Sequence, residues 1–221
     1  RLRAKQNICD WDGFEADCSH LIESVANNKP STDPFTFLSL ASRGTDQHNC
    51  ARLWIDRRHP AVKPPLWNGE IYRHDKVRVG YVSADFQEHA TAYLMAGMFE
   101  DHDKSVFDVT AISIGQRDDS PMRRRLEAAF DTFLDAGRLS DAEVAAKIRA
   151  AEIDILVDLK GFTRNGRTSI FAHRAAPIQV NYLGFPGTMG ADYIDYVIAD
   201  RTVIPSSRQS EFSEKIAYLP N

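Results

Sequence analysis

The chain has 221 residues, of which 43% are hydrophobic, and its formal net charge is −4. This length allows one large domain with a smaller appendage, and the slightly acidic balance gives no reason to expect nucleic acid or a membrane as a partner. No apolar run approaches the roughly 20 residues of a membrane span, and the basic N-terminus lacks the apolar segment of a secretory signal. Because the first residue is not Met, we expect a piece of a longer protein.

The cysteines indicate a reducing compartment. Cys9, Cys18 and Cys50 show neither a C-x-x-C spacing nor a histidine at the spacing that zinc sites use. We therefore expect no metal site, reduced thiols and a cytoplasmic location.

Residues 1–75 have a mainly helical pattern. Apolar residues recur at helical spacing over Phe14–Val25, which predicts an amphipathic helix, and a second short helix is expected over Asp46–Arg58. A proline-rich linker follows, and we place a domain boundary near Asp75. The expected apolar anchors of the linker are Leu66, Trp67 and Tyr72.

Beyond this boundary, short apolar runs alternate with helix-like segments. This alternation predicts an α/β fold: a Rossmann-like parallel sheet with helices on both faces. Nearly continuous apolar runs are typical of strands that are covered on both faces. The expected strands are Val77–Val82, Phe107–Ile114, Asp154–Leu159, Ile178–Leu183 and Tyr193–Ile198.

Three helices are expected between these strands. One begins at about Thr91, which is a good N-cap residue, and the others cover Ser120–Phe133 and Ser140–Ile153. The last opens with Glu143 at the spacing of a capping box. The basic run Arg123–Arg125 is interpreted as a solvated helix face.

Polar loops follow three of the strands. Parallel sheets bind ligands at the carboxyl ends of their strands, so we expect these loops to lie together at one edge. The loop after the first strand carries Asp85 and His89, the loop over 160–167 contains Lys160 and Arg167, and the segment "LGFPGT" follows the fourth strand. Each of these features also fits a simple cap or turn. The glycines match neither G-x-G-x-x-G nor the P-loop, so a nicotinamide-dependent oxidoreductase lacks its fingerprint.

Several segments together resemble the catalytic region of the O-linked N-acetylglucosamine transferase family, which includes Spindly-type proteins. The resemblance is carried by "KVRVGYVSADFQEH", "DILVDLKGFT", "RTSIFAHRAAPIQVNYLGFPGTMGADYIDYVIAD" and "SEKIAYLP". It covers Val77 to Pro220 almost without a gap. It extends more weakly to "ICDWDGFEADCSHLIESV" near the N-terminus.

The resemblance implies a two-lobed glycosyltransferase of the GT-B type. Members transfer a sugar from a nucleotide-sugar, here expected to be UDP-N-acetylglucosamine, to Ser or Thr of an acceptor protein or peptide. The transfer inverts the anomeric carbon and uses no metal or other cofactor. By this resemblance, residues 1–75 are a helical linker that follows tetratricopeptide repeats, and 76–221 are the first Rossmann-like lobe. The second, donor-binding lobe is absent from this chain, and the repeats and that lobe are its expected partners, without nucleic acid or membrane.

The resemblance also implies roles for individual residues. His89 and Asp85 match motif positions that handle protons near the reacting centre, and the resemblance leaves open which group is the base. Thr91 falls in the same motif, and Arg167 matches an arginine that faces the cleft. We assign the loop that closes over the donor sugar to Leu183, Gly184, Pro186, Gly187 and Thr188. Since this loop is at a sheet edge, we expect a larger residue at Gly184 to change donor binding without changing the fold.

Two departures keep other functions open. The animal enzymes have His-Pro-Thr-Ser-His where this chain has "HATAY" from His89 to Tyr93, and Phe35 lies near the position of another active-site histidine. A GDP-fucose-dependent protein fucosyltransferase, as in plant Spindly proteins, remains an alternative. A non-catalytic relative that binds sugar or protein is another.

Overall fold

The centre of the molecule is a seven-stranded sheet. The computed structural model describes residues 2–40 and 42–220. The strands are β1 (Val77–Ser83), β2 (Phe107–Ser113), β3 (Thr132–Asp135), β4 (Ile155–Asp158), β5 (Ile178–Tyr182), β6 (Tyr196–Ala199) and β7 (Lys215–Tyr218). Their order is β3-β2-β1-β4-β5-β6-β7, and all neighbouring pairs are parallel. The expected parallel α/β sheet is thus confirmed.

The helices lie N-terminal to the sheet and between its strands. They are α1 (Leu2–Asn7), α2 (Phe14–Ala26), α3 (Pro34–Leu38), α4 (Gly44–Arg58), α5 (Ala90–Glu100), α6 (Pro121–Ala129), α7 (Asp141–Ala150) and α8 (Ser169–Ala172). A 3₁₀ helix covers Ser206–Glu211. The two N-terminal helices predicted from periodicity correspond to α2 and α4. The capping box of α7 is formed as expected, because Ser140 and Glu143 exchange both hydrogen bonds.

Helices cover both faces of the sheet. On one face α5 and α6 pack on β1 and β2, with Phe99 and Leu126 fully buried between them. On the other face α7 and α8 pack on β1 and β4, with Ile148 and Phe171 in the interior. Alternate residues of β1 serve the two faces, since Tyr81 belongs to the first core and Val82 to the second.

The N-terminal helices have a small core of their own and also contact the sheet domain. Val25, Phe37 and Cys50 are buried in this core. The linker after α4 lacks regular secondary structure, and its backbone donates hydrogen bonds to the end of α8. Two of its predicted anchors are held by Arg149, which donates to Leu66 O at 3.0 Å and to Tyr72 Oη at 2.7 Å.

The two outer strands were not predicted. The helix expected over Ser120–Phe133 ends at Ala129, because Asp131 exchanges hydrogen bonds with the backbone of Val109 and draws the chain into β3. Both β3 and β7 are four residues long and only partly buried. Edge strands of this kind lack the continuous apolar run that marks a central strand.

The interpretation of the basic run as a solvated helix face is wrong for its first residue. Arg123 is buried, and its guanidinium donates to Asp135 at 2.5 Å and to Glu127 at 2.8 Å. The same guanidinium stacks over the ring of Phe133. The missed strand β3 supplies both Asp135 and Phe133, so Arg123 ties α6 to that strand.

Candidate active site

The loops after β1, β4 and β5 meet at the carboxyl edge of the sheet. Strand β1 lies between β2 and β4, so the chain winds outward on one side of β1 and then returns to the other. This reversal is the place where open α/β sheets bind ligands. The first two loops touch through Asp85 and Lys160, and the third approaches the second at Leu159. The expectation that these loops share one edge is confirmed.

Asp85 is buried at the end of β1 and forms an ion pair with Lys160. The distance from Lys160 Nζ to Asp85 Oδ2 is 2.5 Å, and both side chains are 7% exposed. The backbone N–H of Asp85 donates to Ser83 Oγ, which fixes the turn that carries the carboxylate. Sequence reasoning assigned no role to Lys160, although a lysine directly after an apolar strand was a visible signal.

A second carboxylate, Asp158, holds the loop that carries Lys160. Its Oδ1 accepts the backbone N–H groups of Lys160 and Gly161 at 2.8 and 3.0 Å. Burial raises the pKa of Asp158 to about 6, and these two donors oppose that shift. The turn after β4 is therefore built by a buried carboxyl group rather than by solvent-exposed residues.

His89 stands at the mouth of the site. Its side chain is 44% exposed, and its Nδ1 lies 3.5 Å from Asp85 Oδ2. The same atom accepts the backbone N–H of Thr91 at 3.2 Å, so His89 is the N-cap of α5 and Thr91 lies one position inside the helix. The expectation that Thr91 is the cap is wrong. While Nδ1 accepts this hydrogen bond, the neutral ring carries its proton on Nε2.

The residues assigned to the donor loop divide into two groups. Leu183 and Pro186 are exposed at the sheet edge, and Leu183 has a left-handed backbone with φ of 65°. Gly187 and Thr188 are buried. Thr188 Oγ1 donates to Glu214 Oε2 at 2.7 Å, and burial raises the pKa of Glu214. The hydroxyl of Thr188 is therefore engaged inside the fold.

Gly184 is required by packing. A Cβ at this position would lie 2.1 Å from the backbone oxygen of Leu159, so the expectation that larger residues leave the fold unchanged is contradicted.

Gly184→Ala should lower the free energy of unfolding by about 1–3 kcal/mol, since the backbone must move to relieve the overlap. Gly97→Ala is the matched control, because nothing lies within 4 Å of its Cβ. In a helix this change should stabilise by about 0.5–1 kcal/mol. Urea unfolding compares the two; equal stability of Gly184→Ala and wild type would contradict the packing role.

Arg167 joins the loops after β3 and β4. Its guanidinium donates to Asp141 at 2.6 Å and to the backbone oxygens of Ala136 and Leu139. It also lines a groove of about 1180 Å³ that opens at the carboxyl edge. We call this the basic groove; its other arginines are Arg117, Arg138 and Arg164.

Residues 2–40 and 42–220 contain no group of three or more His, Cys, Asp or Glu side chains that could hold a metal ion. Within the same residues no helix has the length and hydropathy needed to cross a membrane.

Comparison with known proteins identifies the family. Residues 8–221 match the model for glycosyl transferase family 41. A UDP-N-acetylglucosamine–peptide N-acetylglucosaminyltransferase of Caenorhabditis elegans is 33% identical over 231 residues, covering 98% of this chain and 20% of that protein. The probable enzyme SEC of Arabidopsis thaliana, with the same activity in its name, is 39% identical over 163 residues, covering 74% of this chain and 16% of that protein.

A solved structure supports the same family assignment. A mutant O-GlcNAc transferase of Thermobaculum terrenum superimposes with a TM-score of 0.72 at 29% identity, covering 82% of this chain and 35% of that chain. The family expected from the sequence is confirmed, and the chain spans a fifth or less of the two curated relatives. The chain belongs to glycosyltransferase family 41.

Proposed function

We propose that this chain is part of a protein O-glycosyltransferase that transfers N-acetylglucosamine from UDP-N-acetylglucosamine to Ser or Thr hydroxyls. The observation that carries the proposal is the His89–Asp85 pair, with 3.5 Å between Nδ1 and Oδ2, at the point where the sheet topology reverses. The activity named for the relatives from Caenorhabditis elegans and Arabidopsis thaliana supports the choice of donor.

The proposed chemistry uses groups at the carboxyl edge of the sheet. As the acceptor oxygen bonds to the anomeric carbon, the bond from that carbon to the diphosphate oxygen breaks with inversion, and the hydroxyl proton must leave. His89 Nε2 takes that proton when the ring proton is on Nδ1 and points to Asp85. Thr91 N–H then loses its acceptor, which is a small cost at a helix end. The positive end of α5 favours the negative charge on the departing nucleotide.

The proposal includes the wider protein. Residues 1–75 would be the helical linker after tetratricopeptide repeats, and 76–221 the first of two Rossmann-like lobes. A second lobe would hold most of the nucleotide. Leu183 and Pro186, exposed at the edge, would contact the donor sugar, and the free state of Cys9, Cys18 and Cys50 supports a cytoplasmic location.

The test is sugar transfer by the full-length protein. UDP-N-acetylglucosamine and GDP-fucose are supplied separately with a Ser-containing peptide, and the product is identified by mass spectrometry; the same peptide with Ala for Ser is the control. We expect transfer only from UDP-N-acetylglucosamine, with an unchanged rate in EDTA. Transfer only from GDP-fucose would overturn the donor, and a folded protein inactive with both would favour a non-catalytic relative.

A further inference from the structure

The basic groove differs in charge from the rest of the chain. The formal net charge of the whole sequence is −4, yet four arginines line this one concave surface. Among the described residues that line it, Asp135 is the only acidic one, and its carboxylate already accepts from Arg123 at 2.5 Å. The groove is therefore a local site of positive charge on an acidic protein.

Three of the four guanidiniums are available to a ligand. The side chains of Arg138 and Arg164 are exposed and have no hydrogen bond or ion pair with any other described residue. Arg117 is 66% exposed, and its closest acidic atom is Asp135 Oδ2 at 4.0 Å. Only Arg167 is fully engaged, with Asp141 and two backbone oxygens. Arg167 therefore shapes the groove, Arg138 and Arg164 supply its unpaired charge, and Arg117 shares the carboxylate of Asp135 with Arg123.

The three exposed arginines reach the groove from separate loops. Arg117 follows β2, Arg138 follows β3 and Arg164 follows β4, so each comes from a different loop. A single phosphate needs donors that converge, usually including backbone N–H groups. Guanidiniums presented by three separate loops instead match a chain that carries several negative charges.

The groove opens beside the proposed catalytic pair. Ala84 and Gln87 line it, and these residues flank Asp85 and precede His89 in the same loop. From there the groove extends past β2 toward the edge strand β3. A polypeptide whose Ser or Thr hydroxyl reaches His89 would thus have neighbouring residues within the groove.

We propose that the basic groove binds an acidic segment of the acceptor polypeptide, next to the Ser or Thr that receives the sugar. This inference rests on the proposed function for the identity of the ligand as an acceptor. The exposed arginines would attract the acidic segment over a long range and form moderate contacts with it. The preference for acidic over neutral peptides should therefore weaken as the salt concentration rises.

The experiment uses the full-length protein and two fluorescein-labelled Ser peptides, one with three Glu residues near the Ser and one with Gln in their place. Fluorescence anisotropy measures binding without a sugar donor, and kcat/KM is measured with the donor present. The test variant carries Arg117→Gln, Arg138→Gln and Arg164→Gln. The matched control removes three exposed arginines elsewhere, with Arg57→Gln, Arg73→Gln and Arg124→Gln.

We expect the Glu peptide to bind more tightly than the Gln peptide at low salt, and the groove variant to reduce the affinity for the Glu peptide about eightfold, roughly twofold for each exposed contact. The control triple should retain the preference. Equal binding of the two peptides, or equal loss in both triple variants, would overturn the proposal. A single-stranded oligonucleotide of the same charge that binds more tightly, and loses binding in the groove variant, would overturn it in favour of nucleic acid.

The binding and activity arms separate the two proposals. Preferential binding of the Glu peptide without any sugar transfer would support acidic-peptide binding by the groove and count against the proposed function. Transfer to both peptides at equal kcat/KM would support the function and overturn the groove.

Discussion

Replacing Lys160 with Met should lower the free energy of unfolding by about 3–5 kcal/mol. The Lys160–Asp85 pair is 7% exposed at both ends, with 2.5 Å between Nζ and Oδ2. Removing the ammonium leaves the Asp85 carboxylate buried without a counter-charge, and this penalty exceeds the loss of the contact itself.

Two comparisons isolate this effect. Arg125→Met breaks an ion pair with Glu100 whose side chains are 47% and 39% exposed, and it should cost about 1 kcal/mol or less. The double variant Lys160→Met with Asp85→Leu removes both buried charges and should recover most of the lost stability. Urea unfolding of all variants provides the measurement. A Lys160→Met protein as stable as Arg125→Met would show that the pair is not effectively buried.

The central strands could be predicted because burial on both faces requires apolar residues at nearly every position. β1 and β2 were found within one residue of their limits. The edge strands could not be found in this way, since β3 and β7 have one neighbour each and keep polar residues in the strand. Missing β3 also hid the reason for burying Arg123, whose carboxylate partner Asp135 lies on that strand.

The candidate site was predictable in place but not in its pairings. The rule for parallel sheets put Asp85, His89 and the glycine-rich loop at one edge. It could not pair Asp85 with Lys160, which is 75 positions away. Nor could sequence spacing show that Gly184 lies against the backbone of Leu159, because that contact joins two separate strand ends.

The basic groove could not be predicted from the sequence either, because its arginines are brought together only by the fold. Arg117, Arg138 and Arg164 are separated by long stretches of sequence and form no charge run. Only the parallel arrangement of β2, β3 and β4 brings their loops to one concave surface. In the dense run Arg123–Arg125, which sequence alone makes conspicuous, Arg123 and Arg125 are instead engaged in ion pairs.

His89→Ala in the full-length enzyme should lower kcat by about 10²- to 10⁴-fold if the imidazole assists proton transfer. Alanine also removes the N-cap of α5, which costs about 1 kcal/mol. His89→Asn is therefore the matched variant: its side-chain oxygen can accept the Thr91 N–H that Nδ1 now accepts at 3.2 Å, but it cannot take a proton near neutral pH.

The pair of variants separates catalysis from capping and positioning. We expect His89→Asn to melt near the wild-type temperature and still show the kcat loss of His89→Ala, because asparagine can cap the helix but cannot take up the hydroxyl proton. A loss confined to KM in both variants would instead mean that His89 positions the donor. Near-wild-type kcat/KM in His89→Asn would show that this histidine serves only as a helix cap. Steady-state kinetics beside thermal melts of the three proteins distinguishes these outcomes.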